Sequence, residues 1–271
     1  MAKKQKSNLQ VLMSAMNQDG RSLIKQANIK SDAIIINQCD KNALDNLRYY
    51  GNNIEFVSVD LRGVGSSRNH ALMRATAKYC LFADEDIRYV EGYEELIISE
   101  FENMPNADMI LFNVLSSNPN RPIYQIKTRK RIRRINCLRY GAVRIAAKTD
   151  VIKFHNLYFS LLFGGGARYS SGEDSLFIYS CIKAGMKLYS SPITIGTVKQ
   201  DSSTWFNGYN DKFYVDKGVF FRYLFPVIYP IMIIQYSIRK YRVQRNKLSH
   251  IVYLMFKGAF TLSSETENPN E

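Results

Sequence analysis

The sequence is poor in the groups that mark metal ribbons, disulfide scaffolds and membrane spans. Its four cysteines, Cys39, Cys80, Cys137 and Cys181, are scattered without CxxC spacing and without a histidine partner nearby. That pattern indicates neither a zinc site nor a disulfide framework, and fits reduced thiols in a cytosolic enzyme. The clean apolar stretch from Tyr223 to Ile238 falls short of the roughly 20 residues that span a bilayer, and Pro226 and Pro230 interrupt it. The opening "MAKKQKSNLQ" is basic, but "VLMSAMNQDG" behind it is too short and too polar for a signal-peptide core. The expected location is therefore cytoplasmic. Internal repeats and low-complexity linkers are lacking. Acids are outnumbered: 24 Asp and Glu against 37 Lys and Arg give a net charge of +13. Such a surface attracts anionic partners, whether nucleic acid, a membrane leaflet or phosphorylated substrates.

What is present is a core. A hydrophobic content of 46% over 271 residues suffices for one substantial core, or one core with an appended segment. Short apolar runs at 9–16, 32–38, 54–60, 79–85 and 107–115 read as strands. Helical patterns lie between them, notably "SSRNHALMRATAKY" and "GYEELIISEFENM". This alternation predicts an α/β domain with a largely parallel sheet, in which ligands sit outside the carboxyl ends of the strands. "MNQD", "NQCD" and "DED" then share one rim.

The acids at the end of the fourth run, Asp84, Glu85 and Asp86, cost free energy there unless something cationic meets them. Asp84 and Asp86 on a turn can converge on a divalent cation, and oxygen ligands suit magnesium or manganese; a solvated acidic turn is the plain alternative. Upstream, "RGVGSSRNHAL" is a glycine loop opening a helix, whose start presents N–H groups and a positive dipole end to anions. Arg68 lies in its first turns; the plain alternative is an ordinary loop with Ser66 or Ser67 as N-cap. Downstream, "FGGGARYSSGEDSLFIYSCIKAG" is a glycine-rich, mobile loop leading into a helix headed by Glu173 and Asp174. A carboxylate there can act as general base, although Ser171 and Asp174 also have capping-box spacing.

Five motifs in this order resemble family 2 glycosyltransferases of the GT-A fold, the bacterial type that builds capsular, exopolysaccharide or O-antigen chains. The resemblance runs from about Leu9 to Phe206 and rests on "SAMNQ", "NQCD", "GVGSSRN", "ADED" and "GED". It implies that Asp40 hydrogen-bonds the nucleotide base, that Met16 and Asn17 line the base pocket, and that Arg68 lies near the nucleotide. It further implies that Asp84 and Asp86 serve ribose and metal, and that Asp174 is the catalytic base, with Glu173 beside it. The reaction implied is an inverting displacement on a nucleotide-sugar, with a divalent cation, Mn²⁺ or Mg²⁺, assisting the leaving diphosphate. Two departures stand out: only Asp40 survives of the relatives' acidic run after the second strand, and "TVKQ" offers Lys199 and Gln200 where some relatives have a metal-binding histidine.

Three features bear on partners. Trp205 can form an aromatic wall for a sugar or anchor the C-terminal segment. The run "KTRKRIRRINCLR" (127–139), including Arg131, Arg133 and Arg134, is either a solvated face or a contact for anionic lipid or a lipid-linked diphosphate. No RNA-binding module accompanies it, so nucleic acid is not expected. The segment from Val219 to Ile238, followed by Arg239, Lys240, Arg242, Arg245 and Lys247, reads as an interfacial hairpin or amphipathic helix on the inner leaflet, or as a helix packed back on the catalytic domain or a second subunit. The expected organisation is a GT-A-like catalytic domain over 1–212, a membrane-associating helical segment over 213–262 and a disordered tail over 263–271. The resulting reading is a peripheral, cytoplasmic-face glycosyltransferase that moves a sugar, from a UDP-sugar donor in the first instance, to a lipid-linked saccharide. The alternatives are a sugar nucleotidyltransferase, which would need a long glycine- and lysine-containing loop after the first strand, and a non-enzymatic polybasic membrane- or nucleic-acid-binding protein.

Overall fold

The computed structural model describes residues 7–119, 121–199, 208–244 and 247–267. The chain forms two compact units, Met1–Leu161 with Glu173–Ser202, and Leu162–Gly172 with Ser203–Glu271. The glycine-rich loop before Glu173 thus belongs to the second unit.

The first unit is built on one sheet. Its strands are β1 (Leu9–Met16), β2 (Asp32–Gln38), β3 (Ala43–Tyr49), β4 (Asn52–Val59), β5 (Tyr79–Asp84), β6 (Ile87–Tyr89), β7 (Met109–Ser116), β8 (Lys130–Arg131), β9 (Ile145–Lys148) and β10 (Leu188–Val198). Among the described residues they form a ten-stranded sheet in the order β3-β4-β2-β1-β5-β9-β7-β10-β6, with β8 paired to β10. β4, β2, β1 and β5 pair in parallel, as do β7 and β10, while β9 runs antiparallel between β5 and β7. The expected mixed, mostly parallel sheet flanked by helices is what forms.

Helices cover both faces: α1 (Gly20–Gln26), α2 (Val64–Arg74), α3 (Tyr93–Asn103), α4 (Thr149–Phe154) and α5 (Glu173–Lys183). Successive side chains on β1 and β2 alternate between two cores. Val11, Met13, Ala33 and Ile35 pack towards α1 and α3 with Leu23, Ile97 and Phe101. Leu12, Ile34 and Ile36 pack towards α2 and α5 with Leu72, Phe177 and Ile178. Strands buried on both faces read as continuous apolar runs, which is why β1, β2 and β5 stand out in the sequence. β3 does not: its residues are mostly exposed at the sheet edge, and "ALDNLRY" carries no strand-like alternation.

The second unit holds α6 (Asp211–Leu224), α7 (Tyr229–Gln244) and α8 (Leu248–Glu267). α8 continues to Glu267, into the stretch read from sequence as a tail. α6 and α8 meet where two glycines remove side-chain bulk: a Cβ at Gly218 would strike the Met255 carbonyl, and one at Gly258 the Val215 carbonyl. The glycine-rich loop, expected to be mobile, is tied to α6. Ser170 N donates to Asp216 Oδ2 at 2.9 Å, Lys212 Nζ pairs with the same oxygen at 2.7 Å, and the Phe163 and Phe220 rings lie 6.1 Å apart.

Candidate active site

The carboxyl ends of β1, β2, β4 and β5 form the anticipated rim. Register places Ser14 opposite Asp84 and Met16 opposite Gln38. The chain leaves β1 through Asn17, whose φ of 52° is left-handed, a conformation asparagine tolerates better than most residues. This turn is held from both sides. Asn17 N donates to the Gln38 carbonyl at 3.1 Å, and Gln18 N to Asn37 Oδ1 at 2.9 Å. Met16 N donates to Glu85 Oε2 at 2.7 Å. Glu85, the middle acid of "DED", therefore has a role that its sequence position did not disclose: it turns back and fixes the end of β1. Burial pushes its pKa up, and the Met16 N–H opposes that shift.

α2 starts earlier than the serines suggest. Its first residue is Val64, and its N-cap is Gly63 at φ 118°, with no side-chain cap. Gly63 N instead donates to Gln38 Oε1 at 2.8 Å, which ties the helix start to the end of β2. Ser67, read as a possible cap, is buried and its hydroxyl reaches the Ile36 carbonyl at 3.4 Å. Asn69 holds the following loop by two bonds, donating to the Phe159 carbonyl at 2.9 Å and accepting from Phe159 N at 2.8 Å.

That loop carries the floor of the site. The Phe159 ring stacks on Phe177 at 4.0 Å and lies beneath the Arg68 guanidinium, 5.3 Å from its centre. Arg68 is only 3% exposed. From this floor it reaches three acids. Nη2 donates to both Asp84 oxygens at 2.8 and 3.1 Å, while Nη1 donates to Asp174 Oδ1 at 2.8 Å and Glu173 Oε1 at 3.2 Å. Burial alone would lower the guanidinium pKa, but the three carboxylates hold it above its ordinary value and charged. Its buried Nε makes no hydrogen bond.

One guanidinium against three carboxylates leaves the cluster with excess negative charge in a poorly solvated place, which favours uptake of a proton or a cation. The proton affinity is concentrated on Asp174. Burial and the neighbouring Glu173 charge push its carboxyl up to about 7, against the opposing pull of Arg68 and of a hydrogen bond from Ala142 N–H. Asp174 therefore bonds Arg68 and the loop ahead of β9, and is poised to exchange a proton near neutrality. That loop is anchored in turn by Arg144, whose buried guanidinium donates to the Tyr124 carbonyl at 2.6 Å and to the Phe112 and Val114 carbonyls at 3.3 Å. Sequence gave no signal for Arg144.

The remaining anticipated residues divide. Asp86 is half-buried on the turn after β5, and its carbonyl accepts from Lys199 N at 3.2 Å. Asp40 is exposed on the rim and pairs with Arg62 of the glycine loop at 2.9 Å. A cavity of about 220 Å³ opens beside the rim, lined by Gln18, Arg21, Asn37, Lys41 and Ser58 among others, but not by Met16, Asn17 or Asp40. Arg131 turns to its own sheet, donating to the Met186 carbonyl at 3.3 Å and stacking on Tyr189, whereas Arg133 and Arg134 are exposed. Trp205 and Gln200 lie outside the described residues.

For a metal, the residues offer Asp84 and Asp86, two hard oxygen donors flanking one turn. Among the described residues no group of three or more acidic, histidine or cysteine side chains is arranged to hold an ion. Both Asp84 oxygens already accept from Arg68 Nη2, so a divalent cation held here would share that carboxylate and take most of its ligands from a diphosphate and water.

No protein-family model matches the chain, and no curated protein matches its sequence. Solved structures do match. S. aureus TarS 1-349 in complex with UDP-GlcNAc superposes with a TM-score of 0.61 at 14% identity, over 96% of this chain and 74% of that one. TarS 1-349 in complex with UDP gives 0.60 at 12% identity, over 97% and 92%. A longer TarS chain gives 0.61 at 13% identity, over 88% of this chain and 44% of its own length. At such identities the likeness is one of fold, and the fold of this chain is that of TarS.

Proposed function

We propose that this protein is a glycosyltransferase that moves a sugar from a nucleotide-diphosphate donor, a UDP-sugar in the first instance, to a hydroxyl of a lipid-linked saccharide with inversion. The observation that carries this reading is the convergence of Asp84, Glu173 and Asp174 on one buried arginine at the carboxyl rim of the sheet. The same fold in TarS is seen with UDP-GlcNAc and with UDP. In this reading Met16, Asn17 and Asp40, at or just beyond the ends of β1 and β2, receive the base.

In this mechanism Asp174 accepts the proton of the acceptor hydroxyl. The oxygen attacks the anomeric carbon as the bond from that carbon to the diphosphate breaks, and the nucleoside diphosphate leaves. Arg68 holds Asp84, Glu173 and Asp174 at fixed separation, so little reorganisation accompanies charge development. Asp84 and Asp86 would hold Mn²⁺ or Mg²⁺, which supplies electrostatic stabilisation to the departing diphosphate. The chain would work at the cytoplasmic face of the membrane in surface-polysaccharide synthesis.

The nucleotidyltransferase alternative expects a long loop after β1, and here only Asn17, Gln18 and Asp19 separate β1 from α1. Calorimetry with UDP and manganese is the test. Heat of binding should be present in the wild type and largely lost in Asp86→Ala; an unchanged isotherm in that variant would sink the metal assignment, and no heat with any nucleotide would sink the donor assignment.

A further inference from the structure

α7 is apolar on two opposite faces. Its inner face buries Ile233, Tyr236 and Ser237 inside the second unit, where the Tyr236 and Phe221 rings lie 5.5 Å apart and Ser237 Oγ meets Met255 Sδ at 3.4 Å. Its outer face carries Ile231, Ile234, Ile238 and Tyr241, spaced to fall on one side of a helix and 69%, 42%, 40% and 48% exposed. Val227, in the turn leading into the helix, is 85% exposed. A row of bare isoleucines on a soluble surface calls for an occupant.

Charge identifies it. From Lys217 to Ser264 the sequence contains no aspartate or glutamate, and its basic residues include Arg222, Arg239, Lys240, Lys247 and Lys257. A second copy of the chain seated on this face would bring like charge against like charge, which disfavours association. An anionic lipid surface complements both the apolar row and the basic, acid-free stretch of chain that carries it. Length settles the orientation. α7 has 16 residues, which at about 1.5 Å each is shorter than the roughly 30 Å hydrocarbon core, and no described helix is long and apolar enough to cross a membrane.

We propose that the outer face of α7 is a docking surface for anionic bilayers, on which the helix lies in the plane of the headgroups with Ile231, Ile234 and Ile238 inserted. This rests on the peripheral attachment proposed above, names its surface, and narrows the alternatives left open for 219–238. Val219, Phe220 and Phe221 on α6 are buried within the unit, so only the α7 half of that segment is available to lipid.

The test is flotation of the full chain with vesicles of equal parts phosphatidylglycerol and phosphatidylcholine, against vesicles of phosphatidylcholine alone. The wild type should float with the anionic vesicles, and added salt should weaken that binding. Replacing Ile231, Ile234 and Ile238 together by Ser should cut the bound fraction at least about tenfold, because each loses an insertable aliphatic chain. All three positions are exposed, so the triple variant should keep its circular dichroism melt. A thermal shift with UDP, read on both proteins, reports the donor site separately from lipid binding. Flotation of the triple variant at the wild-type level would overturn the proposal. So would a wild type that ignores anionic vesicles and sediments as a dimer that the triple variant splits.

Discussion

The rim of the sheet and the three-helix unit use charge in opposite ways. At the rim, Arg68 is sunk beneath the surface and three acids are drawn onto it, so opposite charges are concentrated and locked. In the helical unit, acids are absent over a long stretch that carries several basic residues, and the interior is held by close helix contact at Gly218 and Gly258. The first arrangement suits a reaction in which charge moves between fixed groups. The second suits attraction to a diffuse anionic surface, where no single pairing matters.

The comparison breaks most sharply at Asp174. Asp174→Asn keeps the shape of the cluster and removes the proton acceptor; turnover is expected to fall by about 10²–10⁴-fold with UDP affinity retained, as single-turnover assays and calorimetry would show. Intact turnover with reduced thermal stability would instead make Asp174 a structural acid. Next in size is Gly258→Leu, which drives a side chain into the Val215 carbonyl. It should cost about 2–3 kcal/mol of stability, lowering the midpoint of chemical unfolding, while UDP binding at the rim persists.

Asn69→Ala removes the two bonds that hold the Phe159 backbone. A loss of about 1–2 kcal/mol is expected, with the Phe159 floor loosened under Arg68 and KM for the donor raised; an unchanged KM would detach that loop from the site. The last prediction concerns the slope of stability with pH. Burial raises the Asp174 carboxyl from 3.8 to about 7 in the folded chain. The folded state therefore holds this proton more tightly than the unfolded one, and stability falls as pH rises through the window between those values. Asp174→Asn should abolish that slope, so that the variant's resistance to chemical unfolding no longer weakens across the window in which the wild type loses stability. In the wild type, activity should rise with pH through about 7 as Asp174 becomes able to accept a proton.

Legibility in the sequence follows burial. β1, β2 and β5 are covered on both faces and appear as unbroken apolar runs. α3 shows its apolar face directly, and the boundaries expected for it differ from those observed by one residue at each end. The edge strand β3 and the antiparallel insert β9 were not legible, because "ALDNLRY" has no buried face to pattern it and "IAAK" is too short to show any period. At the site, "DED", "SSRN" and "GED" each marked a place, and the side chains that meet there come from all three. The segments are far apart in sequence: Arg68 and Asp174 are separated by 106 positions.

The sequence by itself determined the fold class, the rim on which the motifs lie and the excess of basic charge, because burial and turn chemistry act locally and leave periodic marks. Only the tertiary structure decided that Arg68 is shared among three acids, that Glu85 serves β1, that Arg144 anchors the loop ahead of β9 and that α7 bares its isoleucines. Those outcomes depend on which distant side chains compete for one buried donor or one helix face, and no local pattern records that competition.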